Sequence, residues 1–99
     1  MQFLSLSDFA NLLNQTFTVN MDHDGNTPFV LVEARPLEGA ARLRDAVRDP
    51  FSLLFRNEAA IVFPQKTYAM KHAALGEFGI FIVPIARDRT GFIYQAIFN

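Results

Sequence analysis

The chain has 99 residues, 51% of them hydrophobic, with eleven phenylalanines, no cysteine and a net charge of −1 at pH 7. That is one domain with enough apolar material for its own core, and it excludes disorder, a disulfide scaffold and a thiolate zinc site. A near-neutral chain also lacks the cationic excess that neutralises phosphates, so no nucleic-acid partner is expected.

The opening MQFLSLSDFANLL has neither the basic lead nor the long apolar run of a signal peptide. The longest apolar run, residues 78 to 86, is half of what a membrane helix needs. The expectation is a soluble, cytoplasmic protein with no membrane partner. Ser7 followed by Asp8, Phe9, Leu12 and Leu13 reads as a short capped helix with one apolar face. From Thr16 the period changes to two: Phe17, Val19 and Met21 alternate with Thr16, Thr18 and Asn20. Asp24-Gly25 marks a hairpin turn, with Phe29 to Val32 as the return strand. A two-residue turn would set Val30 and Val32 beside Phe17 and Val19, whereas a bulged three-residue loop would set Phe29 and Leu31 there.

Residues 36 to 50 form a long arginine-rich connection bracketed by prolines, with room for one helical turn around Ala40 to Val47. FSLLFR (51 to 56), residues 65 to 72, FGIFIVPI (78 to 85) and FIYQAIF (92 to 98) are four further strands. The third of these is apolar on both faces and should be covered on both. Pro84 donates no hydrogen bond, so it belongs at an edge or a bulge. One short helix and six antiparallel strands give a mainly β, α+β fold: a rolled sheet or small barrel with the helix plugging an open end or face.

Charge is unevenly placed. Residues 1 to 34 carry Asp8, Asp22, Asp24 and Glu33 and no base, while all nine basic residues lie beyond them. Arg42, Arg44 and Arg48 share their loop with Asp45 and Asp49, which reads as a solvated, internally paired segment before it reads as an anion or partner site. DHDGN at 22 to 26 places Asp22, Asp24, Asn26 and Glu33 at EF-hand positions, but its glycine is misplaced and its flanks are strands. Glu33 would also lie roughly 23 Å along an extended strand from Asn26. His23 and His72 come from different turns and lack helical metal spacing, so no metal and no cofactor is expected.

The densest stretch is PQKTYAMKHAALGEFGIFIVPI, 64 to 85. A hairpin turning on residues 73 to 76 would pair His72 with Glu77, Met70 with Gly79 and Tyr68 with Phe81. A His72–Glu77 dyad could act as a general base, but no nucleophile motif or second acid accompanies it, so no enzyme is expected. Lys66, Tyr68 and His72 could instead line the mouth of a ligand-binding barrel.

FSLLFR, the 64 to 85 stretch and the terminal YQAIFN together resemble a bacterial family of roughly hundred-residue proteins catalogued as a domain of unknown function. The matching positions are Phe51, Ser52, Leu53, Phe55, Pro64, Gln65, Tyr68, His72, Gly76, Phe81 and Pro84, and SDFANLLNQTFTV resembles the family's opening. The resemblance implies a small β domain with a structural or accessory role, in an assembly such as a phage-tail-like one. The expected function is a non-enzymatic interaction module with a protein partner or self-association, contacting through a sheet edge or the arginine loop.

Overall fold

The alternating pattern that begins at Thr16 becomes six strands that close on themselves. The computed structural model describes residues 4–21, 25–37 and 50–98. Helix α1 (Leu6–Ala10) precedes β1 (Thr16–Asn20), β2 (Asn26–Pro36), β3 (Phe51–Asn57), β4 (Lys66–His72), β5 (Gly76–Asp88) and β6 (Gly91–Phe98). All pairings are antiparallel, and the strand order is β1-β2-β3-β6-β5-β4, closed between β4 and β1. Two three-stranded meanders are thus joined edge to edge. The β1–β4 seam is the shortest, with only Thr18↔Lys71 and Val19↔Met70 in register.

Two bulges bend the wall so that it can close. β2 slips between Leu31 and Glu33, and β5 slips between Pro84 and Ala86. Pro84 therefore sits beside a bulge, as its missing N–H demands. The first hairpin takes the longer loop. Met21 N–H donates to the Gly25 carbonyl at 2.7 Å, and Phe17 faces Phe29. Phe29 and Leu31 consequently point inward with Phe17 and Val19, all four fully buried.

The bore is filled by side chains. Phe17, Phe29, Phe51, Leu53, Phe55, Met70, Ile82 and Tyr94 are wholly buried inside it. α1 plugs one end. Its Phe9 lies 5.6 to 6.2 Å, centroid to centroid, from Phe17, Phe51, Phe78 and Phe98. The helix cap is Ser5 rather than Ser7: Ser5 N–H donates to Asp8 Oδ2 at 2.8 Å, and the helix stops at Ala10. Asn14 then takes a left-handed turn with φ 68°, so Leu12 packs beyond the helix and Leu13 stays exposed. The other end is closed by residues 58 to 65, the crossover from β3 to β4, whose Phe63 is buried against Phe29 and Tyr94.

Two expectations are corrected. The 64 to 85 hairpin turns over residues 73 to 75, with Leu75 N–H on the His72 carbonyl and Gly76 at φ 74°. Its register pairs His72 with Gly76, Lys71 with Glu77, Met70 with Phe78 and Tyr68 with Ile80, one residue away from the pairing expected. With a side-chain period of two, that slip sends Glu77 and Phe81 to the outer face while His72 and Tyr68 remain inside. β5 is also not covered on both faces: Ile80 and Ile82 are buried, but Phe81 and Ile85 are 51% and 49% exposed. The arginine-rich connection and its helical turn at 40 to 47 lie outside the described residues.

The β5–β6 turn is held by Asp88. Its Oδ1 accepts from Thr90 N–H (2.9 Å), Thr90 Oγ1–H (2.9 Å) and Gly91 N–H (3.1 Å), and Oδ2 accepts from Arg56 at 2.6 Å. These bonds, the Thr90 amide foremost, hold the Asp88 carboxyl below the usual aspartate range. Gly91 follows at φ 152°, and a Cβ there would lie 2.2 Å from the Asn57 carbonyl oxygen. Gly79, by contrast, has room: a Cβ would meet Thr67 Cγ2 at 3.5 Å. Gly91→Ala should therefore lower unfolding stability by about 2 kcal/mol or more, whereas Gly79→Ala should be neutral or stabilising by up to about 1 kcal/mol. Urea denaturation of both variants checks the contrast, and equal losses would contradict it.

Candidate functional site

The four described residues singled out by sequence do not converge. On β4 the inward positions run Lys66, Tyr68, Met70, His72, from the crossover end of the bore to the helix end. Lys66 is exposed at the rim with its Nζ 5.0 Å from the Tyr68 ring centroid. His72 lies at the opposite end, with buried Met70 between it and Tyr68. Glu77 is on the outer wall. The imidazole and carboxylate that a His72–Glu77 general base requires thus face opposite sides of the sheet, and Lys66, Tyr68 and His72 share no mouth.

His72 is a structural junction. Its ring lies 4.6 Å from Phe17. Nδ1 accepts the Ala74 N–H at 2.9 Å, which fixes the neutral tautomer with hydrogen on Nε2, and Nε2–H then donates to Gln15 Oε1 at 2.8 Å. The ring ties the β4–β5 turn to the segment entering β1. Gln15 gave no signal in the sequence, because it sits in a linker 57 residues away from its partner.

The two tyrosines are also structural. Tyr68 Oη–H donates to the Pro64 carbonyl at 2.6 Å, and Tyr94 Oη accepts the Phe63 N–H at 2.9 Å. Between them they pin the crossover over the bore. Asn57 anchors its start: Nδ2 donates to Thr27 Oγ1 and the Pro28 carbonyl, and Oδ1 accepts the Ala59 N–H. Asn57 was findable from sequence, as the polar residue continuing the inward series Phe51, Leu53, Phe55. Burial raises the pKa of both phenols, and the neighbouring Tyr94 adds to the effect on Tyr68.

Among the described residues, several apolar side chains lie on the outer wall. Phe81 and Val83 on β5 and Ile93 and Ile97 on β6 face outward, as does Leu54 of β3. Val83, Gln95 and Leu54 form one row across three strands. Continuing the register by two residues sets Phe81 opposite Ile97, which is 45% exposed. Together these side chains make a contiguous apolar patch around Gln95. Beside it, over the short β1–β4 seam, lies a depression of about 210 Å³ lined by Thr18, Asn20, Asn26, Ala69, Lys71 and Glu77. Ala69 and its partner Gly79 leave the middle of this wall low.

Arg42, Arg44 and Arg48 lie outside the described residues, as do Asp22, His23 and Asp24. Among the described residues no three His, Cys, Asp or Glu side chains gather into a metal-binding group. No helix among them is long and apolar enough to cross a membrane. A family model described as "Domain of unknown function (DUF6916)" matches residues 4–98. Comparison with curated proteins and with solved structures finds no match.

Two outcomes are expected. Because the tyrosine pKa values are raised, the fold favours the neutral phenols; that contribution is whole below pH ~10 and is lost as pH climbs through the folded values. Tyr68→Phe, which removes the donor to Pro64, should cost about 1 kcal/mol at neutral pH and shrink the alkaline loss, read by urea denaturation from neutral to strongly alkaline pH. His72→Ala should cost roughly 2 kcal/mol through the lost Phe17 contact and the freed Gln15 and Ala74 groups. Nitrogen-15 NMR should show the Nε2–H tautomer in the parent protein; the other tautomer would contradict this bonding.

Proposed function

The chain belongs to the family described as the domain of unknown function DUF6916, and we propose that it works as a non-enzymatic protein-interaction module, with the outer wall of β5 and β6 as its contact surface. The observation that carries this reading is the contiguous patch of Phe81, Val83, Ile93, Ile97 and Leu54. Scattered exposed apolar residues are ordinary, but a contiguous cluster with charged groups such as Arg56 and Asp88 nearby is the signature of a protein contact. The bore supports no comparable reading, because aromatic rings fill it and both ends are plugged. A ligand mouth at Lys66, Tyr68 and His72 would need three residues that lie at two different ends of the barrel. A general base at His72 would need a free ring lone pair, whereas Nδ1 accepts from Ala74 and Nε2–H donates to Gln15. Closure of the sheet also moves the expected contact from a strand edge to a strand face. A place in a larger bacterial assembly, phage-tail-like or otherwise, is the setting that the family resemblance implies for such a module.

The test is photo-crosslinking in the native cell from a probe residue at Gln95, in the parent chain and in a Phe81→Glu/Ile97→Lys variant. The parent should form a discrete adduct, with itself or with another protein, and the variant should lose it by about tenfold or more while its melting temperature holds. The absence of any discrete adduct, or an adduct indifferent to the substitutions, would refute the reading.

A further inference from the structure

Gly79 lies in the middle of β5, where the fold has no need of glycine. It has none of the left-handed φ of Gly25, Gly76 and Gly91, and a Cβ would fit with its nearest contact at 3.5 Å. A mid-strand glycine weakens a strand, and away from bulges and bends one use of it is to let a ligand or another backbone approach closely. Its partner across the ladder is Ala69, the next smallest side chain. One row toward the helix end, Lys71 faces Glu77 on the same outer surface. They are direct cross-strand neighbours of opposite charge, yet neither forms an ion pair among the described residues; both line the depression instead. One row the other way, Thr67 faces exposed Phe81.

We infer that this face of β4 and β5 is an interface with a second copy of the same chain, a twofold axis running parallel to the two strands and between them. The inference rests on the interaction reading above, extends its surface from Phe81 across to β4, and names the partner. Such an axis exchanges β4 with β5. It sets Lys71 against Glu77 of the second copy and Glu77 against its Lys71, giving two reciprocal ion pairs from two side chains that form none among the described residues. Ala69 meets Gly79 of the second copy, so the two walls come closer there than the ~10 Å of ordinary stacked sheets. Phe81 covers Thr67 of the second copy at one edge of the contact. A self-complementary patch of this kind is what an isologous dimer requires. The face is two strands wide and three rows long, roughly 10 by 20 Å from strand spacing. That is small beside the ~800 Å² per partner of a standard stable complex, so the dimer is weak, concentration-dependent and loosened by salt.

Charge reversal tests it directly, read by analytical ultracentrifugation of the full chain up to about 1 mM at low salt. The parent chain should dimerise. Lys71→Glu and Glu77→Lys each place like charges across the axis, and each should raise the dimer dissociation constant by about tenfold or more. The Lys71→Glu/Glu77→Lys double variant restores both pairs and the original net charge, and it should dimerise like the parent. Mixing the two single variants should give heterodimers. Both substitutions are on the exposed wall, and unchanged thermal melts confirm that folding is intact. A parent that stays monomeric overturns the inference, as does a dimer indifferent to the single reversals, or single reversals that neither the double variant nor the mixture repairs. A monomeric parent that still forms a Gln95 adduct with a different protein overturns the dimer and leaves the interaction module standing.

Discussion

The structure depends on a chain of aromatic contacts that runs along the barrel axis from one plug to the other. Phe9 of the helix meets Phe17; Phe17 meets Phe55 at 5.5 Å; Phe55 meets Phe29, which meets Tyr94 at 5.1 Å and Phe63 of the crossover at 6.3 Å. A six-stranded wall encloses a bore that must be filled, since an empty one would forfeit packing on every surrounding side chain. Phenylalanine fills it from every strand but β4, whose inward tyrosine, methionine and histidine do the same work. Removing either plug would open a row of rings to water.

With the bore given to packing, the polar residues of the interior hold its ends and turns. Tyr68, Tyr94, Asn57 and His72 each spend their hydrogen-bonding capacity on backbone or side-chain partners that close an end or tie a turn. Buried polar groups need such partners, and each of these has one. The residues that first look like chemistry are those that the barrel needs for closure. The apolar patch and the low Ala69–Gly79 strip both lie on the outer wall.

The wall itself is shaped by local irregularities. The bulge at Pro84 twists β5 away from a regular ladder beside the exposed Ile85. The brevity of the β1–β4 seam leaves the depression over Thr18 and Lys71. Closure leaves the six-stranded sheet with no open edge between its first and last strands.

The sequence by itself determined that there are six strands and a short helix, because those follow from apolar period and turn residues along the chain. It also placed Pro84 at an edge or a bulge, since a missing N–H is a local fact, and the structure chose the bulge. Which side of the wall a residue faces was decided by tertiary structure. The 64 to 85 hairpin could turn over two, three or four residues with little local difference, and only the demand that Met70, Ile80 and Ile82 fill the bore chose the register. That choice separated His72 from Glu77 and sent Phe81 outward. The pairing of Gln15 with His72 and the pinning of Phe63 by Tyr94 were equally invisible, because each joins residues far apart in sequence that meet only when the sheet closes. Alternation along a strand records that two faces differ; which of them becomes the inside is fixed by what the other five strands bring to it.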